Sequence, residues 1–306
     1  MPARTLRHLV GGVAVALIVA LFTACGGTSQ SASDQSASCP NNGTVRMGVE
    51  PFESAAELTP VYQDVAKKLG DKLGCRVELT ITTNYTSEVE AMRAKKLDMG
   101  QFGPLGYVLA HKLANAQPLV TFGDKNGKPL PYTASIVTWK GSGITKLSEV
   151  QGKTFAYSDP ASTSGHLFPA FGLKKAGIDP DHGVQATYAG SHTASFETLR
   201  NHKVDAGELN SQTIESAQKK NEYQAEDFTT LWKSGPIQLD PITVRGDLPK
   251  PFADKLKTAL LGLDLTKVSD PTKVLGGPRL VTVSDGQYQN VRDLVDVLNI
   301  DLSKLG

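Results

Sequence analysis

Little in this 306-residue chain is one-sided. Lysine and arginine together number 32 against 31 aspartates and glutamates, a formal charge of +1. With no basic run in the body, the sequence excludes nucleic acid as a partner and gives no footprint for an anionic membrane surface. It has no G-x-x-x-x-G-K-[ST] loop for a nucleotide phosphate and no G-x-S-x-G elbow for a nucleophilic serine. His166, His182, His192 and His202 show no ligand spacing on a common face, so neither a metal nor another cofactor is expected. Cysteine is scarce, at three residues. Long apolar runs are scarce too: the one clear case, Leu9 to Phe22, is shorter than the roughly 20 residues a spanning helix needs.

That run follows Arg4, Arg7 and His8 and ends in "LFTACGG", so residues 1–24 read as an export signal. The ending resembles a bacterial lipobox with Cys25 as the lipidated residue, although Phe22 stands where leucine is usual. If the lipobox is not used, the chain is secreted. Residues 25–43, beginning "CGGTSQSASDQSAS", are small and polar and cannot bury a core, so they read as a flexible tether. The expected location is extracytoplasmic, with the folded body held at the bacterial cell membrane by a lipid and not entering it.

Cys39 and Cys75 remain, and outside the cytoplasm a leftover pair predicts a disulfide. Cys39 precedes the strand "TVRMGV" and Cys75 opens "CRVELTI". In neighbouring parallel strands joined by a helix, those two starting ends lie side by side.

The body alternates strand and helix, the signature of a parallel α/β sheet. "TVRMGVE", "RVELTIT" and "LDMGQFG" read as strands. "LTPVYQDVAKKLGDKLG" reads as a helix, and "SEVEAMRAKK" as another with Ser87 and Glu90 as a capping box. The pattern recurs at an offset of 107: Lys67, Lys68 and Gly70 return as Lys174, Lys175 and Gly177, and Arg93, Lys96, Asp98 and Gly100 as Arg200, Lys203, Asp205 and Gly207. Two lobes of one topology are expected. Ligands of open parallel sheets sit beyond the carboxyl ends of the strands. Facing lobes would bring the turns at Glu50, Tyr85, Ser158 and His192 to one cleft.

The turn "SDPASTSGHLFP", Ser158 to Pro169, places Ser162, Thr163 and Ser164 before Gly165. Helix capping explains one hydroxyl. Three hydroxyls, free N–H groups and a helix dipole also make an anion site without formal charge, with Gly165 letting the backbone approach the guest. A nucleophilic serine completed by His192 and Asp240 is the enzymatic alternative, and a sensory domain using the same cleft is a third. Pro169 lies too deep for a first-turn proline, so the helix kinks there or becomes regular only beyond it.

"DPASTSGHLFP", "AGSHTAS", "KVDAGEL" and "NYTSEVEAMRAKKLDMGQFGPLGY" together resemble the phosphonate and phosphite substrate-binding proteins of ABC importers, from about Val45 to at least Arg245. The resemblance implies a two-lobed, type II periplasmic-binding-protein fold, each lobe a mostly parallel sheet flanked by helices. It implies a monomeric binding protein, not an enzyme, that closes by hinge motion on a small phosphorus oxyanion and docks on an ABC permease. Lobe 1 would comprise residues 44–133 and 240–306, and lobe 2 the inserted residues 134–239.

By the same resemblance, Ser162, Thr163 and Ser164 would hold the oxyanion, with His192 donating beside them and Tyr85 reaching across from the other lobe. Tyr132 and Asp240 would stand at the two crossings. Gln212 occupies a position where aminoethylphosphonate binders carry glutamate, which disfavours an ammonium-bearing ligand. Asp240, left without that partner, would accept from a P–OH or a ligand hydroxyl. Phosphite or a short uncharged alkylphosphonate is therefore expected ahead of phosphate, with a hydroxylated phosphonate as a further alternative.

Overall fold

The computed structural model describes residues 38–270, 273–302 and 305. The signal segment, Cys25 and most of the tether lie outside the described residues. Among those described, no helix is long and apolar enough to cross a membrane, and no cluster of His, Cys, Asp and Glu could hold a metal.

The first sheet is built from β1 (Thr44–Val49), β2 (Arg76–Ile81), β3 (Met99–Gln101), β4 (Gln117–Gly123), β12 (Pro241–Val244) and β13 (Arg279–Thr282), in the order β13-β4-β12-β3-β1-β2. β1 runs parallel to β2 and β3, whereas β12 is antiparallel to β3 and β4. The second sheet holds β6 (Ala134–Trp139), β7 (Thr154–Tyr157), β8 (Gln185–Tyr188), β9 (Ala206–Asn210) and β10 (Phe228–Lys233), in the order β10-β6-β9-β7-β8. Here too one strand, β7, is parallel to both its neighbours, and β6 is antiparallel to β9. Both sheets are therefore mixed, a parallel ribbon extended by antiparallel strands. Between them a short antiparallel pair, β5 (Pro131–Tyr132) with β11 (Ile237–Gln238), carries the chain across and back.

Helices cover each sheet because their apolar residues fall on one stripe. In α1 (Ala55–Leu73) the buried side chains include Leu58, Val61, Tyr62, Val65 and Leu69. The helix starts at Ala55, a turn earlier than its apolar pattern alone suggests. The C-terminal helix Gln289–Leu298 buries Val291 and Val295 in a second core of the first lobe. It also reaches the other lobe, where Lys174 Nζ donates to the Val297 carbonyl at 2.7 Å.

The offset of 107 has a structural counterpart. Helix α2 (Tyr85–Arg93) and helix α5 (His192–Arg200) start and stop at matching positions. Lys95 and His202 leave them with the same left-handed backbone, φ 58° and 55°. Asp98 and Asp205 then each accept a backbone N–H from a strand of their lobe, at Arg46 on β1 and Thr154 on β7, both at 2.9 Å.

One expected detail is corrected. Ser87 does not cap α2. Asn84 does, accepting Ser87 N–H at 2.7 Å while Ser87 Oγ accepts Asn84 N–H at 3.1 Å. Asparagine caps at least as well as serine, and starting the helix earlier makes Tyr85 its first residue.

Cys39 and Cys75 are joined, with Cα atoms 5.9 Å apart. The parallel register that sets Thr44 opposite Arg76 brings their ends together.

Candidate functional site

Strand-to-helix turns of both lobes meet between the sheets. From the second lobe, Ser162 starts a single wide π-type turn, Thr163–Leu167, and only then does the regular helix α4 (Phe168–Lys175) begin, with Pro169 in its first turn. Proline is tolerated there because the N–H it lacks would have no intrahelical partner. The wide turn holds all three hydroxyl residues, buried, at its start.

Ser162 Oγ accepts Gly165 N–H at 3.1 Å, so part of its role is the cap. Ser162 Oγ and Ser164 Oγ each lie 3.4 Å from His192 Nε2. Gly165 serves a different purpose from the one expected. A Cβ there would sit 1.7 Å from Ser158 Oγ and 2.8 Å from His192 Cε1, so the missing side chain makes room for Ser158 and the histidine.

His192 is the first residue of α5, behind the Ser191 cap. Its Nδ1 lies 2.9 Å from Glu208 Oε1 on β9, both side chains buried. Burial works against a charged ring, but the charge and hydrogen bond of Glu208 outweigh it and the imidazole pKa is raised. With Nδ1 held by the carboxylate, Nε2 faces the serine hydroxyls. The alternative Ser–His–Asp240 triad is not the arrangement found, because Glu208 takes the place behind the ring.

From the first lobe, Tyr85 brings a buried phenol with no hydrogen-bond partner among the described residues. Tyr132, on β5, is buried at the crossing. Asp240 stands half-buried on the return crossing, where Gln101 Nε2 donates to it at 3.4 Å and Tyr62 in turn donates to Gln101 Oε1 at 2.6 Å. It is therefore not partnerless, as the sequence suggested. Burial pushes its carboxyl up to about 7. Gln212 follows Asn210, whose side chain caps α6 (Ser211–Lys219) by accepting the N–H groups of Gln212 and Thr213, each at 2.9 Å.

All eight side chains singled out from the sequence (Ser162, Thr163, Ser164, His192, Tyr85, Tyr132, Asp240 and Gln212) line one cavity. The space is tight: the centre of a water-sized sphere can range over about 20 Å³. That admits roughly a single water as it stands.

The lobes touch directly around this cavity. Leu105 N–H donates to Thr163 Oγ1 at 2.8 Å, and His192 N–H to the Phe52 carbonyl at 3.0 Å. Glu53 accepts from Thr213 Oγ1 at 3.1 Å and from Thr193 Oγ1. Lys220 pairs with Glu57. Burial pushes the Glu53 carboxyl up to about 7.

Sequence reasoning missed Glu50, Glu53, Gln101 and Glu208. Glu50 and Glu53 follow β1 in the turn "VEPFES", and the offset that marked this turn as cleft-lining was the available signal. Gln101 and Glu208 lie on strands, inside "LDMGQFG" and "KVDAGEL", but nothing in those stretches marks either as the support of a site residue.

Two facing lobes joined by a short crossing ribbon, with polar side chains from both sides converging on a closed cavity, define a cleft-type solute-binding protein. The family model for the periplasmic substrate-binding protein of a phosphonate ABC transporter matches residues 47–288, and the chain belongs to that family. It is an extracytoplasmic binding component of an importer, not an enzyme.

It is 26% identical to the phosphate-import protein PhnD of Mycolicibacterium smegmatis, over 95% of this chain and 96% of that one. Identity is also 26% to a probable phosphite-binding ABC transporter protein, PhnD1, of Prochlorococcus marinus, over 85% and 91%. The solved structure of Prochlorococcus marinus PhnD1 with methylphosphonate superposes with a TM-score of 0.74 at 25% identity, covering 85% of this chain and 99% of that one.

Proposed function

We propose that this protein captures phosphite or a short alkylphosphonate between its lobes, and hands it to the membrane permease from the closed state. The observation that carries this reading is the convergence of Ser162, Thr163, Ser164, His192 and Tyr85 on one tight cavity. Thr163 already accepts a backbone N–H, which leaves its own O–H free to donate. Short hydroxyl and imidazole donors suit tetrahedral oxygens, and a cavity this small favours a ligand of few heavy atoms. Hinge motion about the crossings near residues 133 and 240 would open it. Contacts from both lobes favour closure because the ligand binds the closed form better.

The relatives' names span phosphate, phosphite and methylphosphonate, which supports the chemical class and leaves the substituent to the pocket. Gln212 supplies an amide on the cavity wall. Asp240, held up near 7, is best satisfied by a ligand that keeps a proton or bears a hydroxyl. Both argue for an anion that keeps a proton and carries an uncharged substituent over an ammonium-bearing phosphonate. Lipid anchoring through Cys25 and a monomeric state complete the reading.

Calorimetry of residues 38–306 against phosphite, methylphosphonate, aminoethylphosphonate, phosphate and sulfate tests it. Phosphite or methylphosphonate should bind most tightly and sulfate least. Tightest binding of aminoethylphosphonate would overturn the argument from Gln212.

A further inference from the structure

Among the side chains that line the cavity, two carry a buried polar atom with no hydrogen-bond partner among the described residues: Tyr85, through its hydroxyl, and Glu50, through Oε2. An unsatisfied buried polar atom is costly, and in a binding cleft the cost is recovered when a guest supplies the partner. Tyr85 is already among the residues expected to meet the ligand. Glu50 is not.

Glu50 directly follows β1, at the carboxyl end where sheets of this kind place their ligands. It is 1% exposed. Its Oε1 accepts Gly103 N–H at 2.7 Å, at the start of helix α3 (Pro104–Ala114), which fixes the carboxyl group. A Cβ on Gly103 would come within 2.8 Å of that same oxygen and 3.6 Å of Thr163 Oγ1, so Glu50 stands where the first lobe meets the hydroxyl turn of the second. Glu88, Asp159 and Asp240 are the charged groups that act on it, and all are carboxyls; Gly103 N–H alone favours its charged form. Burial and these neighbours hold its pKa well above the ordinary carboxyl range. A neutral carboxyl group has one O–H to donate.

Resting on the proposed phosphorus-oxyanion reading, we propose that Glu50 is a further ligand-contacting side chain, which holds a proton on Oε2 and donates it to an oxygen of the bound anion. The step is a hydrogen bond and not a transfer: the proton stays on Glu50. The carboxyl thereby adds a donor from the first lobe opposite Ser162–Ser164, and an anion can enter a cleft crowded with acids without meeting a charge at this position.

The test combines calorimetry with infrared difference spectroscopy, using methylphosphonate and phosphite as probes. E50Q keeps an acceptor for Gly103 and a donor in place of Oε2–H, so it should bind within about threefold of the unsubstituted protein. E50A should lose about tenfold or more, the usual consequence of deleting a donor to a charged group. Adding either probe should shift a protonated-carboxyl band that is missing from E50Q, a signature that capping of α3 alone would not produce. E50A binding within threefold, or no such band shift, overturns the inference. If E50A does not fold, the E50Q difference spectrum decides alone. Should the unsubstituted protein bind neither probe, the function reading falls and this inference with it; binding intact but indifferent to Glu50 sinks only the latter.

Discussion

His192 Nδ1 lies 2.9 Å from Glu208 Oε1, and this buried pair turns the opposite ring nitrogen toward Ser162 and Ser164. Breaking a buried pair by removing one partner costs more than the pair contributes, because the other group is left without compensation. E208A is therefore expected to lower stability by about 3 kcal/mol and to weaken methylphosphonate binding at least tenfold. The folded imidazole pKa is raised, so this stabilisation is fully present below the unfolded value of about 6.5 and is lost as pH rises through the higher folded one. Thermal unfolding at pH 5.5 and pH 9 should show a larger gap between parent and E208A at the lower pH.

Tyr85 separates binding from stability. Its hydroxyl has no partner among the described residues, so Y85F should unfold at the same temperature as the parent or slightly higher. Its affinity for methylphosphonate should still fall about tenfold, as expected for losing one hydrogen bond to a charged group. A large loss of melting temperature would show that the hydroxyl serves the fold.

Gly165 is expected to tolerate no side chain. G165A would drive a methyl group into Ser158 and the His192 ring. Calorimetry should show binding abolished, and unfolding should show a loss of about 1–3 kcal/mol from overpacking.

Closure should respond to acid. Asp240 and Glu53 both sit near 7, well above their ordinary values, and Glu53 takes its hydrogen bonds from the opposite lobe. With folded values raised, the contribution of these groups is complete below about 4 and is lost as pH rises through 7. Small-angle scattering of the ligand-free protein should give a smaller radius of gyration at pH 5 than at pH 8. The difference should shrink in D240N and in E53Q.

Reduction of Cys39–Cys75 releases a loop of 36 residues' separation. The chain-entropy relation gives about 4 kcal/mol for such a closure. C39S together with C75S should lower the unfolding temperature measurably while leaving ligand affinity within about twofold, because the bridge lies at the opposite end of β1 and β2 from the cleft.

The sequence revealed the parts of this fold that depend on local chemistry. Strand starts beside the two cysteines, the offset of 107 and the three hydroxyls before Gly165 could all be read without coordinates, because each is set by neighbours in the chain. The antiparallel extension of each sheet could not, since β12 and β6 are placed by partners far away in sequence. Glu208 and Gln101 escaped for the same reason: a buried polar residue on a strand looks ordinary until the group it supports is seen beside it. The cap of α2 was misplaced by three residues because asparagine and serine both stood within reach of the same helix start.

Tyr85 and His192 open equivalent helices, one in each half of the molecule. The two jaws are copies in outline but not in chemistry: one closes with a neutral phenol, the other with an imidazole backed by an acid. A guest with three oxygens and one unlike substituent is thereby offered two unlike walls. Its orientation is decided by how the copies diverged.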